Sequence, residues 1–233
     1  MPPEVRLVLN ELVERSGFAI IPDVLTNLQI DTAISDLSQI SSGRSKAGLR
    51  HALACTTVAH LAKEPALTTI ARGILGCDPI PFRATLFDKS PDVNWLVVWH
   101  QDTALPLRQK HDLAGWGPWS IKAGIHYAHA PAQALTNVIA LRVHLDDSGE
   151  DNGPLRVLPG THTLGVLTDD SICRMASELT PINCVVPRGG VLAMRPLLLH
   201  SSSKSRTESP RRVLHIEYAS SLNADDGVEL AIA

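Results

Sequence analysis

The stretch Arg211-Arg212-Val213-Leu214-His215-Ile216-Glu217-Tyr218 reads as a strand with two unlike faces. Leu214, Ile216 and Tyr218 alternate with Arg211, Val213, His215 and Glu217, the period of two that an extended chain imposes. The same parity recurs twice upstream. Ala84 and Leu86 alternate with Arg83 and Thr85, and Leu141, Val143 and Leu145 alternate with Arg142 and His144. One such strand alone would read as a sheet with one wet face. Three of them, in a chain that also supplies enough helix to cover one sheet, predict apolar faces beneath helices and polar faces lining a barrel lumen. A lumen carrying Arg83, Arg142 and Arg211 is cationic, and buried guanidinium groups need anions. A small carboxylate is the natural occupant.

Working outward, strands are expected at 82–88, 95–99, 137–145, 155–158, 191–194 and 212–218, punctuated by proline, glycine and aspartate in the manner of a sandwich or barrel. Before Pro79 the pattern is helical. Val5, Val8, Leu9, Leu12 and Val13 recur at helical spacing between Pro3 and Gly17. A short buried strand, Phe18-Ala19-Ile20-Ile21, precedes a helix capped by Thr26 with Ile30, Ala33, Ile34 and Leu37 on its apolar face. Residues 41–48 read as a polar loop, and Pro65 opens a further helix that Gly76 stops. The whole chain is expected to be a single domain over 1–233, with helical support in 1–78 and a core in 79–220. Residues 103–136, which include Trp116 and Trp119, are too long for a hairpin and are expected to form an active-site lid or insert.

Composition limits the choices. The 233 residues are 44% hydrophobic, enough for one substantial core. A formal net charge of -3 and a pI near 6.3 provide no basic field for nucleic acid. Cys55, Cys77, Cys173 and Cys184 are widely separated, so neither a zinc ribbon nor a disulfide framework is indicated. The N-terminus lacks the pattern of a secretory signal, and no apolar run approaches bilayer length, so no membrane association and a cytoplasmic location are expected.

The chemistry begins at Trp99-His100-Gln101-Asp102. Two residues apart on extended backbone, His100 and Asp102 point the same way and can grip one cation. Imidazole plus carboxylate suits Fe(II) or Mn(II) better than a thiolate-seeking metal. The best third ligand is His200, which closes the apolar run 191–199 at the mouth of a strand. Two histidines and one carboxylate on one face of an octahedron form the arrangement of non-haem iron oxygenases. Taken alone, His-x-Asp is equally the mark of a satisfied histidine beside a surface aspartate.

The ordered series is more specific. Leu86-Phe87-Asp88-Lys89, Trp99-His100-Gln101-Asp102, Leu145-Asp146-Asp147, the run Asn152-Gly153-Pro154-Leu155-Arg156-Val157-Leu158-Pro159-Gly160-Thr161-His162, then His200 with Arg211, resembles the phytanoyl-CoA dioxygenase family. The resemblance spans about Pro79 to Tyr218. It implies a double-stranded β-helix, a cupin-like jelly roll that is mainly β, with N-terminal helices packed on one sheet. It implies that His100, Asp102 and His200 bind iron(II), and that Arg211 clamps the distal carboxylate of 2-oxoglutarate with help from Ser202. Arg212 is the rival clamp, but parity sends it to the helix-covered side. Thr85 and Arg142 match positions lining the cosubstrate pocket. Arg142 stands where some members carry an aromatic residue, so it serves either the cosubstrate or an acidic group on the prime substrate. Arg83, His144 and Trp116 are the candidate substrate contacts.

What the resemblance implies for activity is an iron(II)- and 2-oxoglutarate-dependent dioxygenase. It would use O2 to hydroxylate a small metabolite, with release of succinate and CO2; the cationic lumen favours an anionic one. Related halogenases carry a small non-ligating residue where this chain has Asp102, which favours hydroxylation or desaturation. Two other readings remain open: a non-catalytic metal- or ligand-binding jelly-roll module, and a cupin-type metal-dependent hydrolase or isomerase. The expected partner is a small-molecule substrate. The sequence specifies neither its identity nor the oligomeric state.

Overall fold

The computed structural model describes residues 3–40, 44–45, 48–89, 93–225 and 227–233. The N-terminal part runs α1 (Pro3–Ser16), β1 (Phe18–Ile21), α2 (Asn27–Ser38), β2 (Arg44–Ser45), β3 (Gly48–Arg50), α3 (Thr56–Leu61) and α4 (Pro65–Leu75). Local chemistry sets these boundaries. Thr26 forms a full capping box with Gln29, and Gly76 closes α4 in the left-handed conformation that glycine adopts without a Cβ penalty. Within the stretch read as a polar loop, 44–45 and 48–50 pair as short strands, while 41–43 and 46–47 lie outside the described residues.

The remainder supplies β4 (Ile80–Lys89), β5 (Val97–His100), β6 (Ala104–Leu107), β7 (Trp119–Lys122), β8 (Ile125–His129), α5 (Ala132–Leu135), β9 (Val138–His144), β10 (Leu155–Val157), α6 (Asp169–Glu178) and β11 (Ile182–Cys184). It ends in β12 (Val191–Met194), β13 (His200–Ser202), β14 (Arg211–Ala219), β15 (Asn223–Asp225) and β16 (Val228–Glu229). A seven-stranded sheet, ordered β1-β12-β9-β14-β4-β3-β2, faces a four-stranded one, β11-β10-β13-β5. Every named strand pairing in these two sheets is antiparallel. This is the helix-covered jelly roll that the alternating strands predict.

The two faces of the large sheet do different work. Leu86, Leu141, Val143, Leu214, Ile216 and Tyr218 lie in one cluster with Leu9, Val13, Ile30, Leu37, Leu67 and Ile70 of α1, α2 and α4. Burying a side chain of that size from water contributes about 1.5–3 kcal/mol. Tyr218 adds a tie, its hydroxyl donating to the Ala62 carbonyl at 2.9 Å. On the inner face, Ala140, Leu192 and Met194 pack against Leu155, Val157 and Cys184 of the small sheet. That apolar contact fills one end of the sandwich and leaves the β4–β14–β9 end to polar side chains.

The 103–136 insert is more ordered than an unstructured lid. Its strands form a separate three-stranded antiparallel sheet, β6-β8-β7, and it adds Leu105, Leu107, Trp116 and Ala128 to an apolar cluster shared with Phe82, Leu135 and Val138. Helices α3 and α6 are not among the expected elements: α3 has only six residues, and in α6 the apolar positions Ile172, Met175 and Ala176 stand among charged and polar neighbours.

Leu141→Ala, at a fully buried position between sheet and helices, is expected to lower unfolding free energy in urea by about 2–5 kcal/mol. Val8→Ala, on the exposed side of α1, should stay within about 0.5 kcal/mol of the parent.

Candidate active site

His100 ends β5 and His200 begins β13, and the two are directly paired across the antiparallel ladder. A β-bulge follows: Ser202 sits opposite Val97 where an unbroken register would place Val98. Bulges re-aim side chains beside active sites, and here the imidazole centroids come to 4.2 Å. Asp102 lies just past the strand end, its backbone N–H held by the Pro196 carbonyl at 2.9 Å. Between the two ligand candidates, the buried Gln101 turns away. It donates to the carbonyls of Leu197 at 2.8 Å and Gly165 at 2.9 Å, and accepts from the Leu167 N–H at 2.8 Å. The segment before His200 and the 165–167 loop are thereby fastened to the same strand end.

Each histidine is oriented in the same way. His100 Nδ1 lies 2.8 Å from the Val98 carbonyl and His200 Nδ1 lies 2.8 Å from the Leu198 carbonyl. A carbonyl only accepts, so both rings carry the proton on Nδ1 and present an Nε2 lone pair inward. Such outer contacts fix tautomer and ring angle at metal sites. The inward atoms converge on one carboxylate: His100 Nε2 is 3.7 Å from Asp102 Oδ1 and His200 Nε2 is 3.5 Å from Asp102 Oδ2. One ligand atom from each residue lies within 4.8 Å of the others. For bonds of about 2.0–2.2 Å, adjacent octahedral ligands stand about 3 Å apart, so a slight closure would seat a first-row divalent ion. Burial pushes the His200 imidazole down to about 4, against the opposing pull of Asp102, so the ring is neutral at pH 7. Burial would raise the Asp102 carboxyl, but His200, His100, His215 and Arg83 together hold it below its ordinary range. The donor set fits iron(II).

A second group of side chains lines the lumen from β4, β9 and β14. Arg211 Nη2 donates to Ser202 Oγ at 3.3 Å, and Lys89 Nζ donates to the same hydroxyl at 3.1 Å and to the Ser203 carbonyl at 2.6 Å. Ser202 in turn donates to the Gly153 carbonyl at 2.9 Å. Gly153 has φ +69°, and a Cβ there would lie 2.4 Å from the Ser203 carbonyl, so only glycine allows the turn before β10 to approach this close. Arg142 donates from Nη1 to His215 Nδ1 at 3.1 Å and lies over the Phe87 ring at 5.3 Å.

This cradle is short of acceptors. Arg211 Nε and Nη1 and Arg142 Nε are buried without a partner, as are both ring nitrogens of His144. Buried donors of this kind cost about 1–3 kcal/mol each when unmet. Burial and then the Arg142 charge lower the Arg211 guanidinium to about 10, still cationic at neutral pH. Burial, then the Arg211 and Arg142 charges, bring the Lys89 ammonium down to about 7. His144 is held well below its ordinary range by burial and by the same two arginines. The cluster lacks an anion, and a dicarboxylate such as 2-oxoglutarate fits it.

The remaining candidates fall in several places. Thr85 shares the lumen face and pairs in register with His215. Arg212 forms a two-pronged ion pair with Asp146, at 2.8 and 2.7 Å, on the helix side, which leaves Arg211 as the lumen guanidinium. Arg83 also differs from a free substrate clamp: it is paired with the buried Glu217 and donates to the Ala104 carbonyl at 2.7 Å. Trp116 packs into the apolar cluster of the insert, 7% exposed. Lys89, His215 and Glu217 are residues that site selection from sequence passed over. His215 and Glu217 already stand on the polar parity of β14, and extending the Arg83–Thr85 alternation of β4 through Phe87 finds Lys89.

A family model described as phytanoyl-CoA dioxygenase matches residues 13–213. L-proline trans-4-hydroxylase of Streptomyces griseoviridis is 26% identical over 138 residues, which are 48% of this chain and 51% of that enzyme. The match thus spans about half the length of that relative. Among solved structures, the epimerase SnoN in complex with Fe3+, alpha ketoglutarate and nogalamycin RO superposes with a TM-score of 0.71 at 18% identity, covering 95% of this chain and 86% of that one. EctD from S. alaskensis with 2-oxoglutarate and 5-hydroxyectoine gives 0.70 at 18% identity, covering 94% and 76%. At these identities the likeness is one of fold.

A carboxylate docked beside Lys89 would raise its depressed pKa, so binding of 2-oxoglutarate to Mn(II)-loaded protein should take up a proton above about pH 7 and weaken as pH rises. Calorimetry in two buffers of different ionisation enthalpy, between about pH 6 and 9, reads both effects. Lys89→Met should weaken binding and flatten the pH dependence.

Proposed function

The chain belongs to the phytanoyl-CoA dioxygenase family, and on that premise we propose that it is an iron(II)- and 2-oxoglutarate-dependent dioxygenase that hydroxylates a small carboxylic acid. The observation that carries the reading is the pairing of two sites. A three-ligand face built from His100, Asp102 and His200 stands in the same lumen as arginine donors that lack partners. A structural metal site would have no need of the second feature.

The roles divide by position. His100, Asp102 and His200 would hold the ion. Bound there, iron and 2-oxoglutarate supply an O2-derived oxidant for one substrate C–H bond, with release of succinate and CO2. The rest is positioning by the protein. Arg211 keeps Nε and Nη1 free of protein partners, and Nη1, on the guanidinium edge shared with Nη2, would give the distal carboxylate a charge-assisted hydrogen bond. Ser202 holds Arg211 and Lys89 at a common hydroxyl. Arg142, fixed by His215 and Phe87, adds charge along the same wall. Thr85 lines it. The neutral His144 offers a further hydrogen bond without adding charge. Leu192 and Met194 close the inner end of the lumen and exclude water from it. The His100 and Asp102 side chains, 37% and 27% exposed, leave the opposite side reachable by substrate.

A small acid is favoured as substrate by the cationic character of the lumen and by the L-proline hydroxylase relative, whose named substrate is an amino acid. The binding-module and cupin-hydrolase alternatives use the metal ligands but have no role for the cradle. They are separated by cosubstrate turnover.

Purified protein with Fe(II), ascorbate and 2-oxoglutarate should form succinate slowly without added substrate. His100→Ala should abolish this, and Arg211→Ala should raise the cosubstrate KM by about tenfold or more, the cost of one charge-assisted contact. An anaerobic titration should show an iron- and 2-oxoglutarate-dependent visible band. Absence of both succinate and band would overturn the oxygenase reading.

A further inference from the structure

Around Arg83, a group of cations is gathered round one phenol ring. Tyr127 of β8 is 3% exposed, and Arg83 and Lys122 lie over its ring at 5.8 and 4.8 Å. His51 stacks on it at 6.1 Å with the planes 8° apart, its Nε2 2.9 Å from the Tyr127 hydroxyl. These residues come from four separate elements: β4, β7, β8 and the turn after β3. Arg50, the last residue of β3, is in register with Thr85 on β4 and so stands at the same rim.

The charges there do not balance. Arg83 is neutralised by Glu217, but among the described residues neither Arg50 nor Lys122 has an ion-pair partner. Burial, then Arg50, then Arg83 depress both His51 and Lys122, and no acidic side chain is among the causes. Arg83 donates to the carbonyl of Ala104 at 2.7 Å, two residues past Asp102, which puts the group beside the chain segment that carries the metal ligands. Two backbone features hold it together. His51 adopts φ 56° and Ala123, beside Lys122, adopts φ 47°. Left-handed backbone is uncommon outside glycine and concentrates at ligand clamps.

We infer that Arg50, Lys122 and His51, arranged round Tyr127, form the site that receives the carboxylate of the prime substrate and so aim its C–H bond at the metal face. The inference deepens the small-acid reading above and rests on it. Its division of labour is specific: Arg211, Lys89 and Arg142 serve the cosubstrate at the inner end of the lumen, while Arg50 and Lys122 serve the substrate at the outer rim. Arg83 with Glu217 forms a neutral partition between them. Arg50 supplies a planar fork for a planar carboxylate, and Lys122 a mobile point charge. The Tyr127 hydroxyl and His51 keep the floor of the site rigid.

The test is calorimetric and needs no turnover. L-amino acids and 2-hydroxy acids, each beside its carboxamide, are titrated into protein loaded with Mn(II) and 2-oxoglutarate. At least one free acid should bind and its carboxamide should not. Arg50→Gln and Lys122→Gln should each raise the dissociation constant about tenfold or more, the loss expected for one charge-assisted hydrogen bond, with melting temperature and 2-oxoglutarate affinity retained. Arg108→Gln, whose partner is the exposed Glu229, should leave the acid's affinity unchanged. The inference is overturned if no acid binds, if amides bind as well as acids, or if both rim variants bind within twofold of the parent. Acid binding that depends on Arg50 and Lys122 in a protein that gives neither succinate nor the visible band would keep this site and overturn the oxygenase reading; succinate formation with rim-independent binding would do the reverse.

Discussion

A strand buried on both faces, with hydrocarbon on one and charge on the other, is the constraint on which the molecule depends. β14 puts Leu214, Ile216 and Tyr218 under the helices and Arg211, His215 and Glu217 into the lumen. A slip of one residue would reverse every side chain, moving a guanidinium, an imidazole and a carboxylate into the apolar layer. Register is therefore enforced from both sides. The helical layer, which resembles mere support in the sequence, is what makes a charged interior affordable.

The lumen meets that cost in pairs and leaves a deliberate remainder. Arg83 is matched to Glu217, and Arg142 is tied to His215. Arg211 and Lys89 share only a hydroxyl, and three buried guanidine N–H groups of Arg211 and Arg142 meet nothing. Folding alone would not select such a set, since unmatched buried cations oppose it. On the proposed reading, a dianion bound there would meet these donors, so stability given up in the free protein would return as affinity.

Metal-site order comes from backbone rather than from side-chain networks. Two Nδ1–H groups find carbonyls two residues back in the chain, and the ladder pairs His100 with His200. Ser202, two residues past His200 on the same strand, shares its face by the period of two and reaches the cationic group of Arg211 and Lys89. The short strand β13 thus serves both halves of the proposed chemistry.

The sequence alone determined the alternation of β4, β9 and β14, the helix caps at Thr26 and Gly76, the His-x-Asp pair, and the opposite facing of Arg211 and Arg212. Each of these rests on periods and neighbours within a few residues. Lys89 and His215 were also legible by parity, yet Asp88-Lys89 reads like an exposed charged turn when seen only in one dimension. The tertiary structure decided the matters that depend on distant contacts. It took Arg83 out of the free cations by setting Glu217 against it, seated Trp116 in an apolar cluster, and built the 103–136 insert into a sheet. It also placed His51 on Tyr127, 76 positions away. No local pattern encodes such a meeting, because its energy arises only after the sheets have closed and the two segments share one rim.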